Sequence, residues 1–77
     1  MILIDVRTKG EYDAGHAEGA ILHDIMDMMA GSFPNMGKDE EIILYCESGN
    51  RSMMAETLMK KAGFTNVTNG GSVENFT

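Results

Sequence analysis

The sequence predicts an α/β domain, a small parallel sheet of about four strands flanked by helices on both faces. Short apolar runs alternate along the chain with stretches of helical pattern, the order that builds crossovers between parallel strands. The two best runs, "ILIDV" and "EIILY", are nearly continuous in apolar residues, as strands covered on both faces are. With 77 residues, 43% of them hydrophobic, there is room for a single domain, 1–77, near the lower limit at which an unstapled core holds a chain together.

The elements follow in order. Residues 2–6 form the first strand, ending at Arg7. In "TKGEY" Glu11 stands three residues after Thr8, the spacing of a capping box, and the short helix it starts is stopped by Gly15. A brief strand is expected at 20–22, and "DIMDMMAG" has the length and apolar content for one or two helical turns. Pro34 and its flanking glycines mark 31–41 as a loop. The run at 41–45 is the strongest strand and should be central. From Ser52 the next helix places Ala55, Leu58, Met59 and Ala62 on one face against Glu56, Lys60 and Lys61 on the other, with Gly63 at its C-terminal cap. A last strand is expected at 66–68, followed by a glycine turn in "NGGSVENF".

Composition excludes several functions. Six basic and twelve acidic residues give a formal net charge of −6, with no Lys/Arg cluster, so nucleic acid and anionic membrane surfaces would be repelled. The single cysteine cannot form an internal disulfide, and with His16 and His23 it lacks the paired spacing of a zinc site. No metal or other cofactor is therefore expected. The apolar stretches are too short to span a bilayer, and the start "MILIDVR" is too quickly charged for a signal peptide, which points to a cytoplasmic chain.

The chemistry concentrates in "YCESGNRS". Cys46 follows directly on the best strand, at the carboxyl end where such sheets bind ligands. In the loop Glu47, Ser48, Gly49, Asn50, Arg51, small residues let the backbone curl with N–H groups turned inward, a nest for an anion with Cys46 at its mouth. The positive end of the following helix and the charge of Arg51 both favour thiolate over thiol. A lone cysteine at a strand end can also be a small buried hydrophobe; the polar loop and the arginine favour the nucleophile.

Taken in order, "IDVRTKGEY", "AGHAEGA", "YCESGNRS", "AETLMKKAGFTNV" and "NGG" resemble the rhodanese-like (thiosulfate sulfurtransferase) family over nearly the whole chain. The resemblance implies that Cys46 takes a sulfane sulfur from thiosulfate or a persulfide, becomes a persulfide itself, and passes the sulfur to cyanide, a thiol or a protein acceptor. The loop amides of 47–51 would stabilise the charged sulfur. Relatives of this fold that act on phosphate or arsenate carry a longer loop, which makes a small phosphatase or arsenate reductase the weaker alternative; the other is a non-catalytic binding or regulatory module. The resemblance makes Asp5, Arg7 and Glu11 structural supports, and His16 a hydrogen-bonded structural residue rather than a base. Arg51 either adds charge or holds the loop by pairing with a scaffold acid. His23 matches no motif and is placed on the surface.

The chain also departs from the family. Ala17 and Glu18 replace the usual apolar residue and proline after the histidine. Glu47 puts a negative side chain beside the sulfur where many relatives are neutral or basic, which disfavours an anionic donor. Phe76 stands near the family's tryptophan corner, and the usual flanking strand and final helix are not in this sequence, so the fold is minimal at its ends. Family analogy gives the strand order 66–68, 41–45, 2–6, 20–22. The edge at 66–68 would be bare, allowing a monomer or a weak homodimer. The eight methionines are read as flexible core filling, with Met53 or Met54 as an apolar wall beside Cys46.

Overall fold

The structure, a computed structural model, describes residues 1–77. It runs β1 (Ile2–Asp5), α1 (Lys9–Ala14), β2 (Ile21–Leu22), α2 (Ile25–Met29), β3 (Ile42–Cys46), α3 (Asn50–Lys61) and β4 (Val67–Ser72), closed by a 3₁₀ turn at Val73–Phe76. The strands lie in the order β2-β1-β3-β4, every neighbouring pair parallel, as the sequence reading expects. The two interior strands are the two with continuous apolar runs, because their residues are covered on both faces.

Register decides which side each residue serves. Ile4 pairs with Leu44 and Asp5 with Tyr45, so alternate residues of both strands share a face. Ile4, Val6, Ile42, Leu44 and Cys46 join Ile25, Met28, Ala55, Met59, Phe64 and Val67 in the main core under α2 and α3. On the opposite face Tyr45 packs with Ala17 and Ala20, against Leu3, Tyr12, Val73 and Phe76. Cys46, at the end of β3, therefore points into the α3 side. No helix is long and apolar enough to cross a membrane.

The capping box of α1 is formed in both directions: the Glu11 amide donates to Thr8 Oγ1 at 3.2 Å, and the Thr8 amide donates to Glu11 Oε1 at 3.2 Å. Two boundaries differ from the sequence reading. Helix α3 begins at Asn50 rather than Ser52, since Gly49 takes a left-handed φ of 96° that turns the loop straight into the helix. The expected glycine turn after residue 68 is instead the second half of β4. Leu44 pairs with Asn69 but Cys46 with Ser72, so β4 fits an extra residue opposite β3, a bulge. Glycine permits it: a Cβ on Gly70 would lie 2.6 Å from Phe76 and 2.8 Å from Ile43.

The methionines divide. Met28 and Met59 fill the core as expected, whereas Met26, Met29, Met53 and Met54 are exposed. The apolar wall expected from Met53 or Met54 is absent because both lie off the α3 face, defined by Ser52, Ala55 and Met59, that packs on the sheet.

Candidate active site

Cys46 ends β3, and its Sγ lies beneath the start of α3. The Gly49 amide donates to Sγ at 3.0 Å, the Ser52 amide at 3.4 Å, and the Ser52 hydroxyl stands 3.5 Å away. Gly49 caps α3 without a side chain to bond the free amides of the first turn, and the sulfur takes the place a capping oxygen would have. An electron-rich sulfur at the positive end of a helix suits that position better than a neutral one.

Two effects oppose each other at the thiol. Burial pushes its pKa up; the Ser52 hydroxyl, the Ser52 amide and the amides of Ser48 and Gly49 pull it down, and the net shift is downward. The thiolate is favoured by hydrogen bonds more than burial disfavours it. The resting sulfur, however, does not sit at the mouth of the loop. Cys46 is fully buried, because these donors draw Sγ inward beneath the backbone. No enclosed cavity lies beside it.

The loop residues separate into roles. Gly49 donates its amide to the sulfur and the Ser48 amide helps to lower its pKa, while those of Glu47, Asn50 and Arg51 make no bond to it. Asn50 opens α3. The Arg51 guanidinium forms a two-pronged pair with Glu11, Nη1 to Oε1 at 2.7 Å and Nη2 to Oε2 at 2.8 Å. Arg51 thus pairs with a scaffold acid, tying the loop to α1. Hydrogen bonding from Arg51 lowers the Glu11 pKa to about 2, and the same bond raises that of Arg51.

Behind the loop lies a second ion pair. Arg7 donates from Nε and Nη2 to the Asp5 carboxylate at 2.7–3.0 Å and from Nη2 to the Gly15 carbonyl at 2.7 Å. The Tyr45 hydroxyl donates to Asp5 Oδ2 at 2.8 Å and accepts from the Ala17 amide at 3.0 Å. Burial would raise the Asp5 pKa, but these bonds, chiefly from Arg7, carry it below its ordinary value. The remaining Arg7 prong, Nη1, faces Glu47 Oε2 at 3.4 Å. His16 stacks on Tyr12 with ring centroids 3.6 Å apart, its Nδ1 2.7 Å from the Tyr12 carbonyl, and makes no bond to the sulfur. His23 is half-buried, with Nε2 against the Ser32 carbonyl at 2.8 Å.

Two residues of the hydrogen-bond network around the sulfur escaped the sequence reading. Ser52 follows directly on the loop, and its signal was the amide left unpaired in the first turn of a helix, where Ser52 is the third residue. Asn69 lies 17 positions beyond Ser52 and has no local signal; the β4 bulge brings its Oδ1 to 2.6 Å from Ser52 Oγ. No group of three His, Cys, Asp or Glu side chains is placed to hold a metal ion.

A sequence profile of the rhodanese-like domain matches residues 1–75. The chain is 31% identical over 74 residues to the thiosulfate sulfurtransferase PspE of Escherichia coli, covering 92% of this chain and 69% of that protein. It is 37% identical over 75 residues to the chloroplastic thiosulfate sulfurtransferase 16 of Arabidopsis thaliana, covering 83% of this chain and 62% of that one. A solved structure of a rhodanese with anions from E. coli superposes with a TM-score of 0.82 at 28% identity, covering 96% of this chain and 88% of the other. A match that takes in both ion pairs, the cysteine loop and β4, over nearly every residue, places this chain in the rhodanese-like domain family.

Proposed function

We propose that the domain is a sulfurtransferase whose Cys46 carries the transferred sulfur as a persulfide. The observation that carries this reading is the single thiol at the start of α3, with a lowered pKa and its donors already aimed. Relatives named thiosulfate sulfurtransferase support the reaction class.

In the first half-reaction the Cys46 thiolate attacks the sulfane sulfur of a donor. A new S–S bond forms, and the donor's own S–S bond breaks, its electron pair leaving on sulfite or a thiolate. In the second, cyanide or a thiolate attacks the outer sulfur, and Cys46 departs as thiolate. The sulfur bound to Cβ is negative at the start and end of the cycle, and the Gly49 and Ser52 donors serve it both times.

Intact mass after incubation with thiosulfate and, separately, with polysulfide tests the reading, with Cys46→Ala as control. The wild-type chain gains one sulfur, cyanide removes it as thiocyanate, and the variant gains none. A folded wild-type chain that no donor modifies would overturn the proposal in favour of a binding module.

A further inference from the structure

Asn69 occupies an unusual place in the hydrogen-bond network around the sulfur. Its side-chain orientation is fixed at both ends: the Gly71 amide donates to Oδ1 at 2.9 Å, and Nδ2 donates to the Gly49 carbonyl at 3.2 Å. An amide N–H must meet the oxygen and a carbonyl must meet the NH₂, so the side chain cannot turn over. Ser52 Oγ, 2.6 Å from Oδ1, can therefore only donate there.

A hydroxyl has one proton. Ser52 Oγ also stands 3.5 Å from Cys46 Sγ and 3.1 Å from the Gly49 carbonyl, and it cannot donate to all three. The short contact to Asn69 takes the proton, leaving Oγ lone pairs toward the sulfur. That arrangement suits a neutral thiol, which can donate its own proton to Oγ. It does not suit a thiolate, which requires the hydroxyl to rotate and donate to Sγ.

We propose that Asn69 is a positioning residue that acts through Ser52, holding the hydroxyl proton while Cys46 is a thiol and releasing it to the sulfur when the thiolate forms. The inference deepens the sulfurtransferase reading and rests on it for its purpose. Asn69 sets how much of the Ser52 bond the thiolate receives, and so tunes both the nucleophile and the leaving group of the cycle. Placed at the β4 bulge, with its amide on the Gly49 carbonyl, it also ties the sulfur's charge state to the edge strand. The charged groups of the elements packed around the loop are already paired, Arg51 of α3 with Glu11 of α1 and Glu47 of the loop with Arg7 behind β1. β4, with the sequence VTNGGS, brings no charge. The neutral Ser52–Asn69 pair is thus the adjustable part of the site.

The test is the pH dependence of iodoacetamide alkylation of Cys46, which needs no sulfur donor and so stands or falls apart from sulfur transfer. Freeing the hydroxyl in Asn69→Ala lowers the thiol pKa by about 1–2 units, the scale of one hydrogen bond to a charged group. Ser52→Ala raises it, and in the Ser52→Ala background Asn69→Ala changes nothing further. Asn69→Leu, which keeps the side chain's volume and removes the acceptor without adding charge, lowers it in the same way and covers the case in which the alanine variant does not fold. A pKa raised by Asn69→Ala, or an equal shift with and without the Ser52 hydroxyl, would overturn the proposal.

Discussion

Two arginines flank the cysteine loop, each bound in a fork by a carboxylate, yet they do different work. Arg7 is 4% exposed and Asp5 is wholly buried; their pair sits within the sheet layer, completed by Tyr45 and the Gly15 carbonyl. The Arg51–Glu11 pair is about one-third exposed, with side chains at 35% and 33%, and joins two helix starts across the surface. The geometry of the two forks is nearly equal, so what separates them is desolvation. A buried charge that loses its partner has no water to turn to, whereas a surface charge does. Arg7 is a foundation of the fold, and Arg51 is a clamp on the loop.

The widest gap between them should appear on removing one cation at a time. Arg7→Met leaves the Asp5 carboxylate buried without its main partner, and should cost about 3–5 kcal/mol in urea unfolding. In a chain of 77 residues, that is a large share of a typical stability. The double variant Arg7→Met with Asp5→Leu should recover part of the loss, since no buried charge then remains. A small loss in the single variant would break the contrast.

The contrast was only half legible in the sequence. The Thr8–Glu11 spacing reveals the capping box, and the apolar runs reveal which strands are interior, because local periodicity carries both. Strand order followed from family analogy, since periodicity is silent on it. That Asp5 would be buried and Arg51 partly exposed depends on the register of β1 with β3 and on where α1 docks, neither of which a local pattern encodes. The β4 bulge is the same kind of case: "NGG" reads as a turn until Phe76 and Ile43 crowd Gly70, and with the bulge went Asn69. At the site, Cys46 and its loop stood out by residue type, while the donors that hold the sulfur were fixed by the left-handed Gly49.

The clamp should show itself in acid. Glu11 is held to about 2 against an ordinary 4.5, so its folded-state pKa is depressed. The stabilisation is then whole above pH 4.5 and is lost as pH falls from there toward 2. With both partners partly in water, the pair is worth only about 1 kcal/mol after screening. Thermal unfolding of Glu11→Gln should match that modest loss at neutral pH and lose less further stability than wild type between pH 4.5 and pH 2. An unchanged acid limb would mean that Glu11 is no clamp.

Glu47 sharpens the comparison with the smallest change in stability and an expected change in chemistry. Its carboxylate is 61% exposed and reaches Arg7 Nη1 at 3.4 Å, so Glu47→Gln should shift unfolding by no more than about 0.5 kcal/mol. Its consequence lies in charge. Arg7 is spent on Asp5, Gly15 and Glu47, and Arg51 on Glu11, which leaves neither arginine free to attract an anion, while Glu47 itself repels one. A thiosulfate dianion approaching Cys46 meets that repulsion; an uncharged organic polysulfane does not. Persulfide formation from thiosulfate should therefore rise roughly 3–10-fold in Glu47→Gln at low salt, and the gain should shrink as salt screens it. The rate with the uncharged donor should hardly move. If both donors gain alike, Glu47 acts on the loop's shape rather than on the donor's charge. If neither gains, the repulsion has already been cancelled by Arg7, and the buried foundation would then be setting donor choice through its one outward prong.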